Sequence, residues 1–226
     1  MIPIHVGIIP DGNRRFGKKY NLSLAEAYEC GINKLKEVME WSKEIGIKIL
    51  TVWSFSTENI NRNPFEKRIF FSLLKKKAEE ALNSEEFEKC GIRCRFIGKL
   101  SLLPLSLTKI LKKIEEKTQS NKEFCLNIAI GYGGRQEIVD ACNKIIKSGI
   151  KRVTINNFRR FLYTNGIPDP DLIIRTSGEY RLSGFLPWQT VYSELVFLKP
   201  LWPEITKEDF ISAIKEFESR ERRFGR

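Results

Sequence analysis

The sequence predicts an α/β fold, a mainly parallel central sheet flanked by helices, in a single domain over residues 1–226. Three observations predict it. Short β-branched or aliphatic runs alternate with longer stretches whose apolar residues recur at helical spacing, and that alternation builds parallel sheets. Runs such as Leu126-Asn127-Ile128-Ala129-Ile130 are apolar nearly throughout, as strands covered on both faces require. No linker, low-complexity tract or internal repeat interrupts the pattern, and 226 residues reach the upper end of one domain with ample core.

The elements follow in order. His5-Val6-Gly7-Ile8-Ile9 has the length of a buried strand, and Pro10, which cannot donate to a ladder, ends it. Asp11-Gly12-Asn13 is turn chemistry, after which a helix can start. Leu24, Ala27, Ile32, Leu35, Val38, Met39 and Trp41 recur at roughly helical spacing up to Gly46. Residues 47–55 are β-branched and aromatic and read as a strand. Pro64 starts a helix to about Leu82. Gly91 precedes a strand over 92–97, and Pro104 opens a helix to about Lys117. Residues 124–130 form a strand, followed by Gly131-Tyr132-Gly133-Gly134 and a helix to about Ser148. A short helix over 155–163 leads to a turn at Pro168-Asp169-Pro170. Residues 172–175 and 194–198 are the last strands, and 207–221 the closing helix.

Composition narrows the partners. Hydrophobic residues make up 42%, ordinary for a globular chain, and Lys+Arg 39 against Asp+Glu 28 leave a net charge of +11. Such an excess suits anionic partners: nucleic acid, phosphorylated metabolites or acidic lipid. Stretches such as Lys75-Lys76-Lys77-Ala78-Glu79-Glu80 carry both signs and read as a solvated face. The aromatic residues lie within strands and helices rather than between the arginines, so a nucleic-acid stacking platform is not expected. Five cysteines, Cys30, Cys90, Cys94, Cys125 and Cys142, show no Cys-x-x-Cys pair and read as free thiols. The one histidine, His5, opens a strand and reads as structural. Few residues precede the first motif, so a signal peptide is not expected, and no apolar run approaches the ~20 residues that span a bilayer. A cytoplasmic protein is expected, with peripheral association at a membrane left open.

The polar motifs share one placement. Asp11-Gly12-Asn13, Ser56-Thr57-Glu58-Asn59, the run from Gly131 to Arg135 and the run from Arg175 to Ser183 each follow an expected strand. Ligands of such sheets bind outside the strands' carboxyl ends, so these motifs converge on one site. Turn N–H groups, a helix N-terminus, Arg14 and Arg15 make an anion site. Asp11 beside it would repel a phosphate unless a divalent metal lay between them. Ser56 and Asn59 can position a substrate or water, or cap a helix, and Arg62 can pair with phosphate. Arg175 and Arg181, six apart with a Gly turn and the Ser183 hydroxyl, suit a diphosphate clamp, since a guanidinium's planar fork matches phosphate. Glu179 between them would hold a guanidinium. Glu194 is either a buried acid needing a partner or a second metal ligand.

Six segments carry a family resemblance: HVGIIPDGNRR, FSTENINR, LNIAIGYGGRQEI, DLIIRTSGEYRLSGFLPWQ, YSEL and the terminal RERRFG. Together, in this order and across nearly the whole chain, they resemble the cis-prenyltransferases, which include undecaprenyl diphosphate synthase. The resemblance implies a homodimer, a hydrophobic tunnel and Mg²⁺. It also implies condensation of an allylic prenyl diphosphate with isopentenyl diphosphate to a Z-polyprenyl diphosphate, a precursor of a glycosyl carrier lipid. Asp11 matches the aspartate that handles Mg²⁺ and the leaving diphosphate, and Glu194 a metal-linked acid. Gly12, Asn13, Arg14, Arg15 and Phe16 fall in the loop that cradles the allylic diphosphate, with Arg62 near it. Arg175, Arg181 and Ser183 match the isopentenyl diphosphate clamp. Ser56, Asn59 and Asn13 match positions that orient the reacting groups or serve proton removal. Arg223-Phe224-Gly225 matches a terminal motif that reaches the partner subunit's site, bringing Arg223 and Gly225 to isopentenyl diphosphate.

The chain departs from the family pattern at Leu24 and Tyr28, where many members have arginine and histidine. It also departs at Pro10, Arg14 and Ile60. These positions bear on acceptor choice and product length more than on ionisation. They leave room for a second reading: irregular coupling of two diphosphates, or prenyl transfer to a hydroxyl compound. A non-catalytic partner subunit is disfavoured because Asp11, both clamp arginines and the terminal motif are intact.

Overall fold

A computed structural model describes residues 1–221, so Arg223 and Gly225 of the expected site lie outside the described residues. Six strands form one sheet: β1 (His5–Ile9), β2 (Ile49–Ser56), β3 (Ile92–Ile97), β4 (Phe124–Tyr132), β5 (Leu172–Arg175) and β6 (Glu194–Phe197). Their order is β3-β4-β2-β1-β5-β6, and every neighbouring pair is parallel. The helices are α1 (Asn13–Lys19), α2 (Leu24–Ile45), α3 (Pro64–Asn83), α4 (Glu86–Lys89), α5 (Leu105–Thr118), α6 (Gly134–Ser148), α7 (Ile155–Arg159) and α8 (Lys207–Ser219).

Strand alternation divides the apolar residues between two layers. Val6, Ile8, Leu50, Val52, Leu172 and Ile174 join the main core with residues of α2, α3, α5 and α8. Ile9, Ile173 and Tyr132 face the other way and pack with Phe185 and Leu186. Ala141 and Ile145 of α6 close a smaller cluster with Phe158 and Leu162. No helix among the described residues is long and apolar enough to cross a membrane.

Local chemistry sets the boundaries. Ser23 and Glu26 form a reciprocal capping box at the start of α2, and Gly46 ends it at φ 96°. The Ile47 N–H still bonds back to Ser42 O at 2.9 Å, so pairing in β2 begins at Ile49 rather than 47. Pro64 opens α3 behind an Asn63 cap. The short helix expected over 155–163 stops at Arg159. The free thiols expected of the five cysteines are all present. Burial pushes the Cys94 thiol up to about 12.

His5 ties the centre of the sheet together. Its Nδ1 lies 2.7 Å from Pro168 O, which can only accept, so Nδ1 carries the proton. Its Nε2 therefore accepts from Thr51 Oγ1 at 2.7 Å, and Asn127 Nδ2 donates to the same oxygen at 2.9 Å. Both ring nitrogens are taken by protein partners in a buried row across β1, β2 and β4. Burial, only partly opposed by the Pro168 contact, lowers the His5 pKa to about 4.

Candidate active site

The chain leaves β1 toward β2 and leaves β5 toward β6, on the other side of the sheet. The β1–β5 boundary is thus a topological switch point, where open parallel sheets bind ligands. Asp11 follows β1 there, and Arg175 is the last residue of β5, in register with Ile9. Arg175 Nη2 donates to Asp11 Oδ2 at 2.9 Å. Arg175 Nη1 donates to Ser183 Oγ at 2.8 Å and to the carbonyl of Arg181. The Arg175 side chain is 5% exposed, and its buried Nε has no partner.

Asp11 is fixed by its backbone as well. Thr176 Oγ1 donates to Asp11 O at 2.7 Å, and the Trp202 N–H to the same oxygen at 2.9 Å. Gly12 follows at φ 117°, and a Cβ there would lie 3.0 Å from the Leu201 Cα. Only glycine fits that turn without strain. Burial raises the Asp11 carboxyl pKa, but the Arg175 hydrogen bond and charge, with Arg15 and Ser177, outweigh it and hold the group below the usual carboxylate range.

The first turn of α1 sends three consecutive side chains in three directions. Asn13 turns toward α2; its Nδ2 donates to Pro10 O at 3.3 Å, and its buried Oδ1 has no partner. A Cβ on Gly31 of α2 would meet that oxygen at 2.1 Å, so the bare glycine makes room for it. Arg14 faces Glu66 of α3 at 3.9 Å. Arg15 reaches the other way, to Ser177 O at 3.3 Å, Glu179 at 3.5 Å and Asp11 Oδ1 at 3.4 Å. Glu179 also holds Arg181 at 2.5 Å. Phe16 packs on Tyr20, ring centroids 4.7 Å apart.

Two cationic groups result. Asp11, Arg15, Arg175, Arg181 and Ser183 form one at the β1–β5 boundary. Arg14 and Arg62 form the other beside α3, where Arg62 Nη1 bonds Glu66 Oε1 at 3.1 Å and Tyr28 Oη at 3.2 Å. The Tyr28 hydroxyl donates to Glu66 at 2.7 Å. Ser56 and Asn59 bracket each other: the Ser56 N–H donates to Asn59 Oδ1 at 3.0 Å, and the Asn59 N–H to Ser56 Oγ at 3.1 Å. Both side chains shape the loop that carries Arg62. The helix cap weighed for this segment belongs to Asn63, whose side chain accepts from Phe65 N.

Glu194 stands apart from these groups. It starts β6 in register with Leu172, while Arg175 pairs with Phe197. Three strand residues, about 10 Å, thus separate its backbone level from that of Arg175. Its carboxylate pairs with Arg220 at 2.8 Å. The structure does not bring Glu194 to Asp11 within the chain.

No cluster of three or more His, Cys, Asp or Glu side chains among the described residues could hold a metal by itself. The donor set fits a different mode. Mg²⁺ is commonly held by one or two carboxylates with substrate phosphates and water completing its shell. Asp11, 32% exposed beside the cations, can supply the single carboxylate.

Next to Asn13 and Tyr28 begins a cavity of about 390 Å³ between α2, α3 and the sheet. Pro10, Asn13 and Tyr28 line its near end, and Ile32, Leu35, Phe70, Leu74, Ile128 and Ile130 its walls. A cationic edge opening onto an apolar cavity defines a protein for amphiphilic anions, with the head bound outside and the tail within.

Residues 9–225 match the family described as "Putative undecaprenyl diphosphate synthase". A tritrans,polycis-undecaprenyl-diphosphate synthase (geranylgeranyl-diphosphate specific) of Picrophilus torridus is 47% identical over 99% of this chain and 90% of its own length. An isoprenyl transferase of Thermus thermophilus is 43% identical over 100% and 89%. The crystal structure of lavandulyl diphosphate synthase from Lavandula x intermedia, in complex with dimethylallyl diphosphate, superposes with a TM-score of 0.93 at 32% identity, covering 100% of this chain and 99% of that one. The chain belongs to the undecaprenyl diphosphate synthase family; it is a prenyltransferase of the cis type.

Sequence reading missed Glu66 as the partner of Arg14 and Arg62, although an acid in the first turn of a helix that opens just after Arg62 is a readable signal. It also missed Thr176 and Trp202, whose hold on Asp11 depends on contacts far apart in sequence.

Proposed function

We propose that the chain, working as one catalytic domain, condenses isopentenyl diphosphate with an allylic prenyl diphosphate to form a Z-polyprenyl diphosphate, the precursor of a glycosyl carrier lipid. The observation that carries this reading is the junction at Asn13. On one side lie the cations of the sheet's carboxyl edge, and on the other the apolar cavity beneath α2 and α3.

The allylic diphosphate lies over the first turn of α1, held by backbone N–H groups from Gly12 onward and by Arg14, Arg15 and Arg62, its tail past Tyr28 in the cavity. Phe16 flanks this site. Isopentenyl diphosphate is held by Arg175, Arg181 and Ser183, with Glu179 keeping Arg181 in place. The allylic C–O bond breaks, and its electron pair leaves on the diphosphate. The isopentenyl double bond attacks the allylic carbon, a C–C bond forms, and a proton passes to a phosphate oxygen or a relayed water. Guanidinium and N–H donors stabilise the growing charge on the leaving group. Mg²⁺ at Asp11 supplies further charge stabilisation there when bound. Ser56, Asn59 and Asn13 orient the reacting groups through the loops they shape.

The site is shared between two copies of the chain. The exposed Val139 and Ile146, seven residues apart on α6, with Val191 and Tyr192 before the edge strand β6, supply an apolar contact surface. Arg223 and Gly225 would reach the partner's isopentenyl site, and Glu194 acts as a metal ligand only if a second copy brings it to one.

One observation favours a second reading, altered acceptor or regiochemistry: the close superposition on a synthase named for a different product, lavandulyl diphosphate. A single assay separates the two. Protein with Mg²⁺ is given labelled isopentenyl diphosphate and dimethylallyl, geranyl, farnesyl or geranylgeranyl diphosphate in turn. A ladder of Z-extended products supports the condensation. Consumption of the allylic diphosphate without isopentenyl incorporation would replace it with the second reading.

A further inference from the structure

The turn between α6 and α7 holds apolar side chains out in water. All ten residues from Lys147 to Asn156 are exposed. Ile150, Val153 and Ile155 among them are 36%, 52% and 72% exposed. Lys147, Lys151 and Arg152 lie between and beside them, and the nearest carboxylates in sequence are Asp140 and Asp169. None of the three cations makes an ion pair among the described residues. Scattered exposed aliphatic residues are ordinary. Three within six positions, among cations and with no acid, form a patch.

The turn is fixed at both ends, so this exposure is not fraying. Gly149 ends α6 at φ 74°. The Thr154 N–H donates to Asn157 Oδ1 at 2.7 Å, and the Asn157 N–H to Thr154 Oγ1 at 3.2 Å, a reciprocal cap on α7. Asn157 Nδ2 also donates to Arg152 O at 2.9 Å and clasps the turn. Phe158, buried against Trp188 with ring centroids 4.5 Å apart, anchors the far side.

The sign of the charge calls for an anionic partner, and the aliphatic residues call for hydrocarbon beside it. Nucleic acid offers the charge but is gripped by aromatic stacking, and residues 147–156 hold no aromatic. A second copy seated on this patch by a twofold would set the cations against themselves. The surface of an acidic bilayer offers both partners: headgroup charge for the cations and the acyl boundary for the aliphatic side chains.

We propose that residues 147–156 dock the chain on anionic lipid surfaces, with Lys147, Lys151 and Arg152 at the headgroups and Ile150, Val153 and Ile155 dipping below them. α6 sets the orientation. It starts at Gly134, whose N–H donates to Gly184 O at 2.9 Å beside Ser183. Its 15 residues carry the turn about 22 Å from there. The docked chain therefore keeps the cations of the sheet's carboxyl edge in water. Docking of this kind needs no particular reaction at that edge.

Sedimentation of the full chain with vesicles tests the docking. Vesicles of phosphatidylcholine alone are compared with vesicles that also hold phosphatidylglycerol. Each cation at an acidic surface multiplies partitioning about fivefold, so the acidic vesicles are expected to bind about a hundredfold more tightly. Raising the salt from about 0.1 M to about 0.5 M is expected to cost at least about tenfold. Lys151→Glu with Arg152→Glu is expected to lose at least about a hundredfold on acidic vesicles. Ile150→Ser with Ile155→Ser is expected to lose about tenfold and keep the salt dependence. All four side chains are exposed, so both variants should melt with the parent. Lys112→Glu with Lys113→Glu, exposed on α5, makes the same change in net charge and is expected to stay within about threefold of the parent. Equal binding to both vesicle types would overturn the proposal, as would equal losses from the turn and α5 charge reversals. So would capture of a single-stranded oligonucleotide that the turn reversal abolishes while no vesicle binds.

Discussion

The Tyr28 hydroxyl donates to Glu66 across the gap between α2 and α3, at 2.7 Å. The phenol is buried, its ring edge-on to Phe70 with centroids 5.4 Å apart. One side chain therefore lines the apolar cavity with its ring and orders Arg62 and Arg14, through Glu66, with its hydroxyl. Tyr28 makes this contact with a phenol, which burial and the Glu66 hydrogen bond keep from titrating near neutrality.

Tyr28→Phe keeps the ring and removes the hydroxyl. Glu66 loses a donor and Arg62 an acceptor, each worth about 1 kcal/mol. The Michaelis constant for the allylic diphosphate is expected to rise about fivefold, with that for isopentenyl diphosphate unchanged. Steady-state kinetics with each substrate varied in turn check it, and equal effects on both constants would count against this local role.

Asp11→Ala removes the countercharge of a nearly buried guanidinium and the carboxylate assigned to the metal. Turnover should fall by about 10² to 10³. The backbone contacts from Thr176 and Trp202 survive, so the far-ultraviolet circular dichroism should be unchanged. Activity within a factor of about three of the parent would remove Asp11 from its assigned role.

Arg181→Ala should act on the other substrate. The side chain is 58% exposed and anchored by Glu179, so the fold does not depend on it. The Michaelis constant for isopentenyl diphosphate is expected to rise about tenfold or more, as for loss of a charge-assisted phosphate contact. An unchanged constant would break the clamp assignment.

His5 makes stability depend on pH. Its folded pKa is about 4 and its unfolded value about 6.5. Between these the unfolded chain binds more protons, so stability rises with pH across that window and is lost as pH falls through it. The contribution is about 2 kcal/mol between pH 7 and pH 5. Urea titrations at both pH values should show this difference in the parent and not in His5→Gln. Parallel behaviour of the two proteins would place the dependence elsewhere.

The strands at 92–97 and 172–175 are legible residue for residue because an alternating run between Gly91 and Gly98, and an aliphatic run opened by Pro170-Asp171, leave little choice of bounds. The polar motifs are legible as a group because each follows a strand. The break between α1 and α2 is not, since it depends on Asn21 taking φ 52°, which periodicity does not report. Nor is the place of Glu194: the sequence says that it borders a strand, but parallel pairing with Leu172 decides which edge of the sheet it occupies. The Tyr28–Glu66 bond joins two helices 38 residues apart, and only the packed structure brings them together.

The start of α1 carries one more consequence. Asn13, Arg14 and Arg15 each serve a different neighbour: Gly31, Glu66 and the Ser177–Glu179 loop. Successive helical residues differ by about 100° in direction. Exchanging any one of the three side chains removes that side chain's contacts alone. Adding one residue between Gly12 and Asn13 turns all three away at once. The turn behaves like an indexed key, tolerant of a worn tooth and useless when cut one notch too long.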